Sequence, residues 1–502
     1  MRLVRYYLAG LITAFITTNS VQAQELQPLI KTQWGQDKPY NMFCPKDLLS
    51  GPNNPAGCAP IAMAQILCYL QQPSVSPTGD KYQWNLMTPQ PANLQEAQAI
   101  AKLVADCGVN AFTSYGKDRS GTNFLNVLSA LKKCFGLNPY VSIIMREQYP
   151  GDEGKRLWRR LIMDELQGGR PVIIKAKRGN DINSNHVFII DGVRGSRVHV
   201  NFGWNGKADG YYALDDLGGF NSEQSAIIGL GKADYVPVMR EVKTERSGQL
   251  AELLPQEEWK QVRHLRISGP LDKSDFKILQ QMARMDRFIG SGGDLHSLDL
   301  SDADLEYLPD SALCATQTLV YVRLPKKLKQ IGRDAFNSSL FLNEVDIPSS
   351  VWRIRKAAFN FCPNLLSIKI PDGVRNILSG TFRGCTSLTE VTLPESVDTL
   401  GSLVFENCTR LERLYIPAAT RHIGSDILKG CPNLREVIIN PANKEYAYRE
   451  GNIVGLTEHA KEQLGQIAPP AYNREELIKK MGARRVRKVK VVKRNGKWVE
   501  VK

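Results

Sequence analysis

The chain has 502 residues, of which 42% are hydrophobic and 23% charged, and its formal net charge at pH 7 is +14. This length allows two or more domains with full cores, and the composition argues against a disordered chain and against a bundle of transmembrane helices. The positive charge alone does not predict nucleic-acid binding, because a basic balance supports binding only where it is clustered on one face.

The N-terminus has the layout of a signal peptide. Arg2 and Arg5 precede the apolar run LAGLITAFI, and the segment NSVQAQ then offers a small-x-small cleavage site after Ala23. The alternative, a membrane anchor, needs about 20 apolar residues, and this run is much shorter. We therefore expect a signal peptide at 1–23 and an exported protein, secreted or held at the surface or in the periplasm of a bacterial envelope, with no membrane span.

The segment PAGCAPIAMAQILCYL, residues 55–70, places Cys58 at the start of a predicted helix. Gly57 supplies a flexible turn, and Pro60 fits the first helical turn, where a missing N–H costs little. Apolar residues then recur at helical spacing. A helix N-terminus stabilises a thiolate, so Cys58 is a candidate nucleophile. A packing role is the alternative, because unpaired cysteines are among the most buried residues.

A nucleophilic cysteine needs a base, and residues 24–232 contain two histidines. His186 precedes the strand-like VFII, at a strand start that a cleft can reach. His199 lies inside the alternating segment RVHVNFGW, where a packed or hydrogen-bonded structural histidine is expected. Asn201 is the nearest candidate for a third group that orients the base.

The other cysteines of this region do not indicate a metal site. Cys68 and Cys107 have helix-like apolar neighbours and are expected in the core, whereas the roles of Cys44 and Cys134 stay open. No second cysteine or acidic residue stands at zinc-ligand spacing from the histidines. We expect neither a metal nor another cofactor.

Five segments of the N-terminal region resemble, in order, motifs of the streptopain family of papain-clan cysteine peptidases. They are WGQDKPYNMFCP, GCAPIAMAQ, NHVFIIDGV, HVNFGWNGKADGYYAL and FNSEQSAIIGL, which together cover roughly residues 30–231. The resemblance implies an α+β papain-like peptidase domain, and the spacing between Cys58 and His186 suits such a fold.

The same resemblance implies the role of each site residue. Cys58 would be the nucleophile, His186 the general base and then acid, and Gln36 an oxyanion donor together with the Cys58 backbone N–H. Asn201 and Trp204 would support the histidine. The loop SYGKDRSGTN, residues 114–123, resembles the loop that lines the nonprimed subsites, so Ser120 and Gly121 are expected to contact substrate, and an apolar P2 residue is implied.

Two segments depart from the family pattern. Phe202 stands where the family has the first Trp of its Asn-Trp-Gly-Trp segment, so a ring persists but the indole N–H is lost. Pro60 and Ile61 replace a small or β-branched pair after the nucleophile, and the proline removes one potential donor from the helix start.

Residues 233–248 contain charge and proline without an apolar period and are interpreted as a linker. Beyond them a 23-residue period predicts a leucine-rich solenoid with one strand per coil, EVDI, SIKI and EVTL among them, stacked into a parallel sheet. Leucines, prolines and cysteines keep this spacing, namely Leu319, Leu342, Leu365, Leu388, Leu411, Leu434, Pro325, Pro348, Pro371, Pro394, Pro417, Cys362, Cys385, Cys408 and Cys431.

The repeated cysteines predict a column of free buried thiols rather than disulfides, because parallel side chains rarely reach disulfide torsions. Phe336, Phe359 and Phe382 are expected to form a second column in the core. The pattern resembles BspA-like leucine-rich repeats, a surface-protein type associated with adhesion. The repeat domain is expected at 249–445, its first coil irregular and capped by a helix.

The last residues, 446–502, form a basic tail. Nine Lys or Arg residues and one Glu occupy 483–502, with alternating valines and a turn-forming pair at Asn495 and Gly496. A solvated two-stranded appendage is favoured over attachment to an envelope or polysaccharide, and DNA binding is favoured least.

The sequence thus predicts a secreted cysteine endopeptidase, residues 24–232, that hydrolyses proteins or peptides through a thiolate–imidazolium pair. The repeats would bind a surface protein or a glycan, and no nucleic acid. The alternative is a surface adhesion protein whose peptidase-like domain is weakly active or inactive, with Phe202 and Pro60 as its signs. A peptidase or transpeptidase-like enzyme that acts on envelope peptides is a third interpretation.

Overall fold

A computed structural model describes residues 25–46, 52–181, 184–284, 292–449, 452–455, 490–494 and 497–501. The expected signal peptide, 1–23, lies outside the described residues, as does most of the basic tail. No helix among the described residues is long and apolar enough to cross a membrane.

The helices of the described residues belong mostly to the N-terminal domain. They are α1 (Cys58–Leu70), α2 (Leu94–Asn110), α3 (Phe124–Ser129), α4 (Gly151–Gln167), α5 (Leu250–Leu253) and α6 (Lys273–Met282). Helix α3 continues as a π-helical turn, Ala130–Cys134, and short 3-10 turns occupy Trp84–Leu86, Arg146–Gln148 and Gln256–Gln261. Ten of the 13 residues of α1 are buried, as expected of a helix that is apolar on every side.

One antiparallel sheet forms the other half of the N-terminal domain. Its strands are β1 (Glu25–Leu26), β2 (Ser142–Met145), β3 (Val172–Arg178), β4 (His186–Arg194), β5 (Arg197–Asn201), β6 (Gly210–Ala213) and β7 (Phe220–Ile228). They follow the order β2-β7-β3-β4-β5-β6, and β1 pairs with β4. Eight of the nine residues of β4 are buried, so this central strand lies inside the α+β domain.

The repeat domain is a solenoid of short parallel strands. These are β8 (Arg240–Lys243), β9 (His264–Pro270), β10 (Ser297–Asp304), β11 (Tyr321–Arg323), β12 (Gln330–Ile331), β13 (Glu344–Asp346), β14 (Arg353–Ile354), β15 (Asn376–Ile377), β16 (Glu390–Thr392), β17 (Thr399–Leu400), β18 (Arg413–Ile416), β19 (His422–Ile423) and β20 (Glu436–Ile439). Partners such as Tyr321 and Glu344, or Arg413 and Glu436, stand 23 residues apart, which confirms the period.

The linker is shorter than predicted. Residues 240–243 form β8, which pairs in parallel with β9 at the edge of the repeat sheet. The backbone N–H of Thr244 extends this pairing with a 2.9 Å hydrogen bond to the Ser268 carbonyl. The sequence REVK did not predict a strand because three of its four side chains are charged, and an edge strand exposes such polar residues to solvent.

Four coils of the described solenoid carry two strands, not one: β11 with β12, β13 with β14, β16 with β17, and β18 with β19. A second sheet, β12-β14-β15-β17-β19, runs beside the predicted one, and the predicted sheet is divided into β13-β11-β10-β9-β8 and β16-β18-β20. The gap falls at SIKI, residues 367–370, which forms no strand.

A side chain from the N-terminal domain lies at this gap. Carbonyls of successive coils accept the N–H found 23 residues on, as when Leu366 N donates to the Asn343 carbonyl at 3.0 Å. Among the described residues the next step, from Thr389 N to the Leu366 carbonyl, is missing, and Lys133 Nζ donates to that carbonyl instead.

Two columns of side chains fill the solenoid as predicted. Phe336, Phe359, Phe382 and Phe405 stack at 5.1–5.8 Å between ring centroids, with interplanar angles of 4–13°. The repeat cysteines are free thiols, and each donates to a phenylalanine carbonyl 26 residues earlier, Cys385 to Phe359 at 3.2 Å, for example. The first coil is irregular and carries helix α6 between β9 and β10, also as predicted.

The tail contains two antiparallel pairs. Strands β21 (Tyr446–Arg449) and β22 (Asn452–Gly455) pair next to the last coil, and β23 (Lys490–Arg494) pairs with β24 (Lys497–Val501). The second pair confirms the predicted two-stranded end of the chain. The turn residues between β23 and β24 lie outside the described residues.

Candidate active site

Cys58 is the first residue of α1, and the residue before it has a backbone conformation that favours glycine. Gly57 has φ +92°, and a Cβ at this position would stand 3.1 Å from the Ser120 carbonyl oxygen. Glycine is therefore needed both for the backbone angle and for the close approach of the 114–123 loop. Pro60 is buried in the first helical turn, where its missing N–H removes no helical hydrogen bond.

The thiol of Cys58 lies among backbone N–H groups. Burial raises the pKa of Cys58, and hydrogen bonding from the backbone of Val187, Ala59 and Cys58 itself acts in the opposite direction. Val187 follows His186 in β4, so the strand that carries the histidine also reaches the thiol. Neighbouring N–H groups at a helix start favour a thiolate once the proton is removed.

His186 begins β4 and is 7% exposed. Its Nε2 lies 2.9 Å from the Phe202 carbonyl, and since a carbonyl only accepts, Nε2 carries the proton and Nδ1 keeps a lone pair. The pKa of His186 is lowered to about 4, mainly by burial and to a smaller extent by the positive charge of Arg178, while the hydrogen bond to the Phe202 carbonyl acts in the opposite direction.

Burial opposes the expected thiolate–imidazolium pair in the free protein. Within the described residues no hydrogen bond joins the Cys58 thiol to the His186 ring. Burial acts on both pKa values in the direction that keeps each group neutral. The physical reason is desolvation, which penalises a charged form in an apolar surrounding.

Asn201, expected to support His186, makes no hydrogen bond to the His186 ring among the described residues; its partners lie elsewhere. The Asn201 side chain is 3% exposed and accepts hydrogen bonds from Gly203 N, at 3.1 Å, and from Gln65 Nε2, also at 3.1 Å. Asn201 Nδ2 donates to the Thr32 carbonyl at 2.8 Å. The amide therefore fixes the turn after β5, and the carbonyl of the next residue holds the histidine.

Gln65 is a residue of this region that the sequence analysis did not identify. It lies on α1 and is 1% exposed, and its Oε1 accepts from Thr32 Oγ1 at 2.9 Å and from Trp34 N at 3.3 Å. In the sequence, the signal for Gln65 is that a single polar residue interrupts the apolar run AMAQIL. Through Gln65 the helix of Cys58 is connected to the turn that holds His186.

Aromatic rings enclose His186. Trp204 stacks on it with centroids 4.7 Å apart, as its predicted supporting role requires. Phe202 is 2% exposed and stacks on Trp204 at 4.9 Å. A phenyl ring at this buried position leaves no indole N–H to satisfy, which explains why the departure from the family pattern is tolerated.

Gln36 lies in the loop that runs beside the start of α1. Its carbonyl accepts a 2.8 Å hydrogen bond from the backbone N–H of Ala56, two residues before Cys58. Its side chain is half-buried, and the amide forms no hydrogen bond within the described part of the chain. An amide without a partner inside the protein is free to donate to a bound group.

Cys58 opens into a cleft of about 500 Å³. Ser120 and Gly121 line it, as expected, and so do Asn185 and Lys175, which the sequence analysis did not single out. Only the pairing of β3 with β4 and β7 brings these residues beside the nucleophile.

The remaining histidine and cysteines have the roles expected of packing residues. His199 Nδ1 lies 2.7 Å from Oδ1 of the fully buried Asp191, so His199 is a structural histidine. Cys107 is fully buried, and burial raises the pKa of Cys68 to about 12. Cys44 and Cys134 form no disulfide within the described part of the chain.

Family comparisons agree with this arrangement. Residues 34–212 match the Peptidase C10 family, and residues 285–379 and 353–453 match a BspA type leucine rich repeat region, in six copies. These matches support the predicted order of a papain-like α+β domain and a solenoid.

Individual relatives match the first part of the chain. Streptopain of Streptococcus pyogenes serotype M1 is 29% identical over 269 residues, covering 43% of this chain and 66% of streptopain. Thiol protease/hemagglutinin PrtT of Porphyromonas gingivalis is 27% identical over 237 residues, covering 40% of this chain and 26% of PrtT.

Among solved structures, that of active wild-type interpain A cysteine protease of Prevotella intermedia is 30% identical with a TM-score of 0.37, and the match covers 40% of this chain and 94% of that chain. The chain spans just under two thirds of streptopain and about a quarter of PrtT. By its family matches, the chain joins a Peptidase C10 domain of the streptopain family, at residues 34–212, to a BspA type leucine-rich repeat region, at residues 285–453.

Proposed function

We propose that this protein is a secreted cysteine endopeptidase whose nucleophile is Cys58 and whose base is His186. The observation that carries the proposal is the position of the thiol. Cys58 stands at a helix start, among backbone N–H groups, and opens into a cleft that is also lined by Asn185 and Val187, the two neighbours of His186 in the chain. Such convergence of a cysteine, a histidine and a cleft suits acyl transfer.

The reaction begins with neutral partners. With a pKa of about 4, His186 is unprotonated at pH 7, and its Nδ1 is the nitrogen left to accept the Cys58 proton. The resulting thiolate attacks the scissile carbonyl, and a bond forms between Sγ and the carbonyl carbon. The imidazolium is stabilised by the Phe202 carbonyl, which accepts from Nε2–H, and by the face of Trp204.

The oxyanion that develops on the carbonyl oxygen needs donors. The side-chain amide of Gln36 and the backbone N–H of Cys58 supply them, each lowering the barrier by about 3 kcal/mol. The imidazolium then protonates the leaving amine as the C–N bond breaks. Water, deprotonated by His186, hydrolyses the thioester and releases the second product.

Substrate binding is assigned to the loop that approaches Gly57. Ser120 and Gly121 line the cleft beside Cys58 and hold the nonprimed residues of a protein or peptide chain. An apolar P2 residue is part of this proposal. Asn201 supports the site indirectly, through the turn that carries Phe202 and Trp204.

The domain division is proposed as 24–232 for the peptidase, 233–239 for the linker and 240–445 for the repeats, followed by the tail. The boundary at 240 moves from the one expected because β8 belongs to the repeat sheet. The repeat domain binds a surface protein or a glycan and thereby raises the local concentration of peptidase near its substrate.

The experiment compares purified wild type with Cys58→Ala and with Cys68→Ala, a cysteine ten residues further along the same helix. Labelling with a thiol-reactive peptidyl epoxide and casein cleavage under reducing conditions are measured. Wild type and Cys68→Ala are expected to label and cleave, and Cys58→Ala to do neither. A wild type that neither labels nor cleaves would contradict the proposal and favour the adhesion protein.

A further inference from the structure

A second cleft, of about 480 Å³, lies between the peptidase domain and the repeat domain. Phe124, Leu128 and Ile143 line it from the peptidase side. Phe341 and Asn364, from two successive coils, line it from the repeat side. Clefts at domain boundaries with apolar walls are common binding sites for apolar groups.

This interdomain cleft is continuous with the cleft of Cys58. Asn123, Phe124 and Lys175 line both of them. Thr122, which also lines the cleft of Cys58, connects Ser120 and Gly121 to Asn123 and Phe124, so the wall assigned to the nonprimed residues leads into the interdomain cleft. A peptide that extends from Cys58 along this wall therefore reaches the repeats.

The contacts beside the cleft hold the repeat wall in place. The side chain of Lys132 is 5% exposed and pairs with Glu344 at 3.1 Å. Lys133 donates to the Leu366 carbonyl and, at 3.3 Å, to Thr389 Oγ1. Both lysines belong to the π-helical turn that continues α3, the helix whose residues line the cleft.

Phe341 itself is supported by the domain boundary. It packs against a cluster formed by Tyr140 of the peptidase domain and by Val320 and Tyr321 of the repeat domain. The rings of Tyr140 and Tyr321 meet edge to face with centroids 5.2 Å apart. The side chain that faces the cleft is thus fixed in position before any substrate binds.

We infer that the repeat domain forms part of the substrate site, and that Phe341 and Phe124 bind a bulky apolar side chain of the substrate on the N-terminal side of P2. The inference rests on the proposed peptidase function and adds a specificity element to it. Lys175 lines both clefts and therefore lies where the substrate passes from one into the other. It is half-buried, and its amine makes no hydrogen bond or ion pair among the described residues.

The test uses the full-length protein and two sets of fluorogenic peptides. One set ends at P2, and the other is extended at its N-terminus by up to four residues that are either all Gly and Ser or contain one Phe. For wild type, kcat/KM is expected to rise about 10-fold when the extension contains Phe, as burial of one large apolar side chain allows. The Gly-Ser extension is expected to add little.

Two variants remove this gain in opposite ways. Phe341→Ala takes away the apolar wall, whereas Asn364→Trp fills the cleft and gives up the 2.8 Å hydrogen bond from Asn364 Nδ2 to the Leu340 carbonyl. For both, the ratio of kcat/KM between the Phe-containing peptides and the short peptides is expected to fall to that of the Gly-Ser extension. Phe361→Ala, which alters an exposed ring on the same solenoid, is the matched control and is expected to behave like wild type.

The outcomes separate the two levels of the proposal. If the short peptides are cleaved and Phe gives wild type no advantage, or gives both variants the same advantage, the repeat domain has no part in the substrate site. If no peptide is cleaved by wild type, the peptidase function fails and this inference fails with it.

Discussion

At the scale of single residues, His186 is kept as a neutral imidazole at physiological pH. Its ring is buried among aromatic side chains, and its pKa falls to about 4 because an imidazolium there would lose its hydration. The Phe202 carbonyl fixes the tautomer that leaves Nδ1 free. A base with these properties is available over the whole neutral range.

This burial predicts that acid destabilises the fold through His186. The ordinary pKa of 6.5 applies to the unfolded chain, so between pH 6.5 and about 4 the unfolded chain binds a proton that the folded protein does not. The contribution of His186 to the free energy of unfolding is therefore fully present above pH 6.5, and about 3 kcal/mol of it is lost as the pH drops to 4.

Urea unfolding of wild type and His186→Asn at several pH values between 7 and 4 measures this contribution. The variant should lose less stability than wild type over this range, because its side chain cannot take up a proton. His422→Asn, at an exposed histidine of the repeats, is the control and should follow wild type. Equal pH dependence in all three proteins would refute the buried neutral state.

At the scale of elements, the start of α1 is determined by its contact with the 114–123 loop. Gly57 adopts a positive φ and lets the Ser120 carbonyl approach. The helix that follows presents Gln65 to the strand-end turn at Asn201. One helix thus positions Cys58, contacts the 114–123 loop and is connected to the turn beside His186.

Gly57→Ala is expected to lower stability by about 2 kcal/mol and to reduce kcat/KM, because the new methyl group combines backbone strain with a displacement of the loop or of Cys58. Gly79→Ala is the matched control, since Gly79 has φ +98° and no atom within 4 Å of its Cβ position. Thermal unfolding and peptide cleavage are measured for both. If Gly57→Ala lowers the stability no more than Gly79→Ala does and retains full activity, the close approach of the Ser120 carbonyl to Gly57 is not important for either.

The phenylalanine column gives a second prediction at this scale. Phe359 is fully buried and stacks on rings from both neighbouring coils, whereas Phe361, two residues later, is 45% exposed. Phe359→Ala should destabilise the solenoid by about 4 kcal/mol and Phe361→Ala by less than about 1 kcal/mol. Urea unfolding followed by circular dichroism distinguishes them, and similar losses would contradict a stacked core.

At the scale of the whole molecule, the two domains pack against each other through specific side chains. Lys132 and Lys133 enter the repeat domain from the end of α3, and Tyr149 donates to Asp294 Oδ1 at 3.2 Å. Burial raises the pKa of Asp294 to about 6, which is consistent with its position inside the boundary. These contacts place the repeats beside the catalytic cleft.

The buried ion pair of Lys132 should be important for this packing. Glu344→Ala leaves a buried ammonium group without its carboxylate, which is expected to cost about 2 kcal/mol and to expose the 233–239 linker to limited proteolysis. Asp302→Ala, which breaks the exposed pair with Lys326, should cost less than about 0.5 kcal/mol. Unchanged proteolysis of Glu344→Ala would show that the pair does not hold the domains together.

The sequence was most informative where a pattern is local or repeated. The 23-residue period predicted the register of the strands, the phenylalanine column and the free thiols, because each coil buries its side chains against neighbours of the same sequence. It was less informative about β8 and SIKI, since edge exposure and the Lys133 contact depend on residues far apart in the chain.

The same division holds for the candidate site. The motifs alone marked Gln36, Cys58 and His186, because these residues stand in short, characteristic segments with helix and strand signals around them. That Phe202, and not Asn201, holds the histidine was decided by the tertiary structure, because a backbone carbonyl carries no signature in the sequence. The cleft shared with the repeats was also decided there, since it exists only where two independently patterned domains meet.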